Sequence, residues 1–286
     1  MSTKQSVVLT GASTGIGWAT AKVLLGKGFR VFGTVRKQAD ADRLSAEFGK
    51  DFTPLLADVT DEAALRQAAE RVDRMLAGAR LAGLVNNAGI VVAGPLLHLA
   101  PSEMRRQMEV NVVGPLLVTQ AFAPLLGTDP ARSGRPGRIV QISSVSGKIG
   151  VPFVGAYCAS KFALEGMSES LRRELMLYGI DVITVAPGPV ITPIWDKSIA
   201  EDFSHFDATD YGPIIKGFRA FFAVEAKKGL PAETLGHAVH HALTVSKPKA
   251  RYAVVPQKFK NWTIPMLLPT RLVDRFIGKQ FGLLKT

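Results

Sequence analysis

The chain of 286 residues holds one cysteine, Cys158, so no internal disulfide can form, and the cytoplasm is the expected compartment. No run approaches the roughly 18 consecutive apolar residues of a membrane span. The first residues, Met1-Ser2-Thr3-Lys4-Gln5, pass straight into a strand-like segment without the apolar core of a signal peptide, so no leader is expected. Internal repeats, long linkers and low-complexity tracts are missing, which predicts one domain over residues 1–286. Acidic residues are scarce: 24 Asp and Glu stand against 35 Lys and Arg, a net charge of +11. Such a balance suits nucleic acid, an acidic membrane or a phosphorylated ligand. The cations are scattered, however, and no nucleic-acid module has its spacing here, so no nucleic-acid partner is expected. The five histidines form no ligand set. His237 and His241 are four apart, but no third ligand is placed, and no metal is expected.

What the chain does have is apolar material, 47% of its residues, in a regular rhythm. Short apolar runs at 7–9, 30–35, 52–56, 84–86, 138–143 and 181–186 read as strands. Amphipathic stretches at 15–27, 39–48, 61–76, 102–126 and from Tyr157 onward read as helices between them. Beyond Ala186 the pattern is less regular, with helices expected over 211–228 and 232–245, a last strand over 252–255 and a terminal amphipathic helix over 265–281. Strands alternating with helices predict an α/β fold, a doubly wound parallel sheet of Rossmann type in the order 3-2-1-4-5-6-7. Pro54 fits that order, because it removes a ladder donor and the third strand lies at the edge.

The turn after the first strand, Thr10-Gly11-Ala12-Ser13-Thr14-Gly15-Ile16-Gly17, is glycine-rich and opens a helix. That is where a pyrophosphate would meet free N–H groups and a positive helix end. The second strand ends in Thr34-Val35-Arg36-Lys37, with no acid before Asp40. An NAD site wants a carboxylate there for the ribose, whereas a cation suits the 2′-phosphate of NADP. Arg36 can fork onto that phosphate, with Ser13 and Thr14 adding hydroxyls, and NADP(H) is the expected cofactor. Tyr157 and Lys161 stand four apart and share one helix face. An ammonium beside a phenol stabilises its anion, so the tyrosine is expected to titrate lower and to act as a proton donor and acceptor. Spacing alone suits a surface neighbour pair better, because Tyr-x-x-x-Lys arises by chance in many helices.

These motifs together resemble the short-chain dehydrogenase/reductases over about residues 5 to 192. The resemblance rests on Thr10 to Gly17, Asp58-Val59, Asn86-Asn87-Ala88-Gly89, Asn111, Ser143-Ser144, Tyr157-x-x-x-Lys161 and Pro187-Gly188-Pro189-Val190-Ile191-Thr192. The run from Tyr157 to Gly166 looks like the 17β-hydroxysteroid and retinol dehydrogenase branch. The resemblance implies catalytic roles for Asn111 (proton relay), Ser144 (substrate orientation), Tyr157 (acid/base) and Lys161 (ribose contact and tyrosine activation). It implies cofactor contacts from Gly11, Gly15, Ile16, Gly17, Asp58, Val59, Asn87, Ala88, Gly89, Pro187, Gly188, Val190 and Thr192. It also implies a homodimer or homotetramer.

Substrate choice is expected in a lid over 194–229, which holds Trp195, Phe203, Phe206, Tyr211, Phe218, Phe221 and Phe222. Aromatic lining suggests an apolar alcohol or carbonyl, steroid-, retinoid- or lipid-like. The tail over 260–286 interleaves apolar and basic residues. Packing on its own domain and weak peripheral contact with an anionic membrane are both readings of it. The expected function is hydride transfer between NADP(H) and such a substrate. The rival is a catalytically idle NADP(H)-sensing protein on the same fold, which would not need the proton-handling set.

Overall fold

The computed structural model describes residues 4–194 and 202–284. Alternation along the strands sets the architecture. In β1 (Ser6–Leu9), Val7 and Leu9 join the core on one face and Val8 the core on the other, all fully buried. The next elements are α1 (Gly15–Gly26), β2 (Arg30–Val35), α2 (Gln38–Phe48), β3 (Phe52–Leu56), α3 (Glu62–Leu76) and β4 (Gly83–Asn86). They are followed by α4 (Pro101–Met108), α5 (Gly114–Ala123), β5 (Arg138–Ile142), α6 (Gly155–Glu174) and β6 (Asp181–Pro187). The last part comprises α7 (Gly212–Lys227), α8 (Ala232–Thr244), β7 (Arg251–Val254) and α9 (Thr270–Gln280).

All seven strands pair in parallel in the order β3-β2-β1-β4-β5-β6-β7. Pro54 sits in β3, at the edge, where its missing donor costs the ladder least. One face is covered by α1, α2 and α8, with Leu24, Leu44, Leu235 and Val239 buried against the strands. The other is covered chiefly by α3 and α5, through Leu65, Val72, Val118 and Phe122. The chain reverses direction across the sheet between β1 and β4, so their carboxyl ends open a crevice.

Two expected helices differ in detail. The stretch expected over 102–126 contains π-turns at Glu109–Val113 and Pro124–Thr128. Pro115 cannot donate to the carbonyl of Asn111, nor Pro124 to that of Gln120, so the i to i−4 ladder is broken at both places. The first break sets the local turn of Asn111, a predicted site residue. Pro101–Thr128 is long and apolar enough to cross a membrane by composition, but Val118, Phe122, Leu125 and Leu126 are buried in the domain core. The terminal helix expected over 265–281 is two pieces, a turn at Ile264–Leu267 and then α9. Pro269 forces Leu268 into an extended conformation (φ −76°, ψ 147°) and ends the first piece.

Candidate active site

The crevice at the carboxyl ends of β1 and β4 is a cleft of about 430 Å³. Its first wall is the glycine turn. Gly11 and Gly15 hold φ of +67° and +58°, a left-handed region that any other residue would enter only with strain. At Gly17 a Cβ would run into the Gly11 carbonyl and the Asn87 amide. The turn is tied to its neighbours. Gly11 N donates to Thr34 Oγ1 at 3.0 Å, and Asn87 Nδ2 donates to the carbonyls of Thr10 (2.9 Å) and Gly11 (3.2 Å). Thr10 Oγ1 accepts from the backbone N–H groups of Asn87 and Ala88 at 2.9 and 3.0 Å. Thr10 and Asn87 therefore lock the ends of β1 and β4 together. At the start of α1, Thr14 makes no side-chain cap and the first turn carries no acid. The open N–H groups and the positive dipole end suit an anion.

At the outer end of the cleft Arg36 is largely exposed and lies 3.8 Å from Asp58. An exposed pair like this contributes about 1 kcal/mol or less, so an incoming phosphate can compete for the guanidinium. Asp58 also accepts from the backbone and hydroxyl of Thr60 at 3.0 and 2.8 Å. A second cation, Arg43, reaches back from α2 and donates to the Ser13 carbonyl at 2.7 Å. Its sequence neighbours Asp40 and Glu47, 3.2 and 3.3 Å away, make it look like an ordinary helix-surface ion pair. No motif marked it. These groups, a glycine turn at a bare helix end and a cation beside the second strand, fit a phosphorylated dinucleotide.

The inner end holds Ser144, Tyr157 and Lys161, which line one side of the cleft together with Ile142 and Ser143. Ser144 caps the turn Val145–Gly147, its Oγ accepting from Ser146 N at 3.0 Å. Its hydroxyl also acts on the Tyr157 phenol, favouring the anion. Lys161 is 6% exposed and donates to the Ile142 carbonyl at 2.8 Å. Its Nζ stands 5.7 Å from the centre of the Tyr157 ring. Every predicted site residue except Asn111 lines the cleft. Asn111 lies behind it, 1% exposed. Its amide clamps Ile90, donating to the carbonyl at 3.0 Å and accepting from the N–H at 2.9 Å. It also donates to Ser160 Oγ at 3.1 Å, so it meets α6 through Ser160, the residue before Lys161.

The electrostatics differ from the sequence-based expectation. Burial dominates and pushes Tyr157 up to about 12, against which the Ser144 hydroxyl pulls only partly. Burial likewise brings Lys161 down to about 8, and the Glu165 carboxylate opposes that shift. A nearby ammonium was expected to lower the tyrosine. Desolvation of the phenol sets the direction instead, and the Lys161 ammonium does not contribute to the shift. Tyr157 is thus a protonated phenol at neutral pH, and Lys161 keeps its charge below about 8.

The aromatic lid also differs. Phe203, Phe206 and Phe218 are buried in a cluster with Val91, Phe153 and Cys158, packed beside Tyr157. Phe221 meets Phe281 of the tail edge-on and Phe218 meets it tilted, at 5.4 and 5.5 Å between ring centres. Of the described lid residues only Ile194 lines the cleft; Trp195 and the side chain of Phe222 lie outside the described residues. The rings build the wall behind the site rather than its surface. Cys158 is buried, with its thiol raised by desolvation and its Sγ accepting from Val151 N at 3.3 Å. His240 and His241 pack edge-on against Phe29 and Tyr252.

The short chain dehydrogenase family profile matches residues 5–202. An NADPH-dependent 3-dehydrocapnine reductase of Ornithobacterium rhinotracheale is 38% identical over 272 residues, 95% of each chain. Human retinol dehydrogenase 5 is 32% identical, covering 94% of this chain and 86% of its own. A crystal structure of a short-chain dehydrogenase from Streptomyces avermitilis superimposes with a TM-score of 0.74 at 26% identity, covering 98% of this chain and 95% of that one. With the cleft, the parallel sheet and these relatives in agreement, the chain belongs to the short-chain dehydrogenase/reductase family, is related to its retinol dehydrogenase branch, and is an NAD(P)-dependent oxidoreductase.

Proposed function

We propose that the protein is an NADP(H)-dependent carbonyl reductase and alcohol dehydrogenase acting on apolar, lipid-like substrates. The observation that carries this reading is one cleft with the glycine turn and Arg36 at one end and Ser144, Tyr157 and Lys161 at the other. When bound, the nicotinamide supplies or accepts the hydride. Gly11, Ser13, Thr14, Gly15, Ile16 and Gly17 hold the pyrophosphate side of the cofactor, and Arg36 takes the 2′-phosphate. Asp58, Val59, Asn87, Ala88 and Gly89 border the adenosine half and the middle of the cleft, and Pro187, Gly188, Val190 and Thr192 border the nicotinamide. Ser144 donates a hydrogen bond to the substrate oxygen. Tyr157, still a phenol at neutral pH, passes its proton to that oxygen as alkoxide character develops. Lys161 holds the ribose hydroxyls and supplies the positive charge that favours the tyrosinate left behind. Asn111, through Ser160, fixes the α6 segment from which Tyr157 and Lys161 project.

Ile90, Val91, Ile142, Val190 and Ile194 give the cleft an apolar lining, which supports a substrate with little polarity beyond its reacting carbonyl. The relative named as a 3-dehydrocapnine reductase and that named as a retinol dehydrogenase support the same class. Assembly as a homodimer or homotetramer through the helices after β4 and β5 belongs to this reading. The tail adds a further element. Its inner side packs through Gly278 and Phe281, while Leu272 and Phe276 stay exposed beside Arg275 and Lys279 on the opposite side of α9. That outward face mixes two apolar and two basic side chains with no acid, complementary to an anionic bilayer in which an apolar substrate dissolves.

Three measurements test this reading. In a spectrophotometric screen of apolar ketones, kcat/KM for NADPH is level through neutral pH and falls above about 8, as free Lys161 loses its proton while Tyr157 keeps one. A profile level to pH 10 would remove the lysine charge from the mechanism. Arg36→Ala raises KM for NADPH roughly 10- to 100-fold, the equivalent of about 1.5–3 kcal/mol for a charge-assisted contact, and leaves NADH within about twofold. An NADH preference in the parent protein would sink the NADP(H) assignment. Vesicles rich in phosphatidylserine sediment the parent protein and lose it on Leu272→Ser/Phe276→Ser. Equal sedimentation of both forms would exclude the tail as the contact.

A further inference from the structure

One charged pair outside the motifs lies directly behind the catalytic residues. Glu165, one helical turn after Lys161 on α6, is 5% exposed. A carboxylate so buried needs a cation and donors. Arg251, the first residue of β7, provides both: its Nε donates to the two Glu165 oxygens at 3.1 Å each. The same guanidinium donates from Nη2 to the backbone carbonyl of Ser144 at 3.4 Å. Its face is covered by the Trp262 ring at 4.5 Å, from the π-turn Phe259–Thr263 that begins the tail. Glu165 in turn acts electrostatically on Lys161, favouring its charged form. Two catalytic side chains thus rest on one ion pair, Ser144 through its backbone and Lys161 through charge.

We propose that Glu165 and Arg251 are positioning residues of this active site, their buried ion pair bracing the Ser144 turn and keeping a carboxylate behind Lys161. The proposal rests on the reading that Ser144 and Lys161 serve the reaction. The groups around Lys161 are consistent with a single electrostatic source. Tyr157 and Glu165 share its helix, Arg251 reaches it from β7 only through Glu165, and β5 offers the neutral carbonyl of Ile142 and the π-turn before α5 the neutral amide of Asn111 at Ser160. Arg251 is at once the partner that makes the Glu165 charge tolerable and the donor that holds Ser144. A lysine there would keep the charge and lose the fork that reaches both.

The test separates the two arms. Lys161 is titrated by NMR in protein with 13C-labelled lysine side chains and without cofactor, its signal assigned by loss in Lys161→Arg. The pH profile of kcat/KM for NADPH is measured alongside. Glu165→Gln moves the Lys161 midpoint and the alkaline limb to lower pH by about half a unit to one unit, roughly three- to tenfold in proton affinity. Glu165→Asp keeps the charge and leaves the midpoint near the parent value, which a purely structural role would not distinguish. Arg251→Lys keeps the midpoint and lowers kcat roughly tenfold with NADPH binding unchanged, because the Ser144 arm alone is lost. Thermal melting confirms that each variant is folded. If Glu165→Gln misfolds, a parent-like midpoint in Glu165→Asp together with the kcat loss in Arg251→Lys supports the proposal. An unmoved midpoint in folded Glu165→Gln, or full kcat in Arg251→Lys, overturns it. A shifted midpoint with an unshifted rate profile supports the positioning of Lys161 and counts against its catalytic use, so the two failures are told apart.

Discussion

The buried ammonium of Lys161 is the constraint around which the site is organised. An ammonium at 6% exposure needs acceptors and a counter-charge, and neither comes from one place. The Ile142 carbonyl at the end of β5 accepts a hydrogen bond from it, and Glu165 on its own helix offers the charge. Glu165 is itself buried and requires Arg251 from β7, which leans on Ser144 and lies under Trp262 of the tail. A single desolvated cation thus ties β5, α6, β7, the Ser144 turn and the start of the tail into one unit. The same burial keeps Tyr157 protonated, the state needed to donate a proton to a carbonyl oxygen.

The opposite end of the cleft is held by neutral hydrogen bonds. The Thr10 hydroxyl and the Asn87 amide bind the ends of β1 and β4 to each other, and the glycine turn is threaded between them with no space for a side chain at Gly17. The backbone N–H groups at the start of α1 are left without a side-chain cap. The cofactor end is therefore uncharged in its floor and carries the Arg36–Asp58 pair at its rim, with Arg43 behind it on the Ser13 carbonyl. The reacting end is charged in its floor and apolar in its walls. That contrast supports the orientation proposed for a dinucleotide and for an apolar substrate.

Much of this was legible along the chain. Short continuous apolar runs, buried on both faces of the sheet, made the strands readable almost to the residue, and Pro54 marked the edge strand because proline is tolerated there. The glycine turn and the Tyr157–Lys161 pair were readable because each is local, within a few residues or one helical turn, whereas Ser144 was marked only by the family resemblance. What was not legible depends on distance or on solvent. Glu165 and Arg251 are 86 residues apart, and neither has a spacing that announces the other. The direction of the Tyr157 shift follows from burial, which an i,i+4 pattern does not record. The lid aromatics suit a pocket or a core equally by composition, and Phe203, Phe206 and Phe218 satisfy one another inside a cluster. Pro115, Pro124 and Pro269 were outweighed by the apolar pattern around them, although each removes a helical donor and leaves a π-turn or a break.

The central claim is that the Tyr157 phenol, held beside Ser144 and Lys161, is the proton donor of a cofactor-dependent reduction. Its most direct test is NADPH consumption with an apolar ketone by Tyr157→Phe, with NADPH binding followed in parallel by fluorescence. The account predicts unchanged NADPH binding and turnover below a few per cent of the parent. A variant that binds NADPH and still reduces the ketone at a substantial fraction of the parent rate would contradict it.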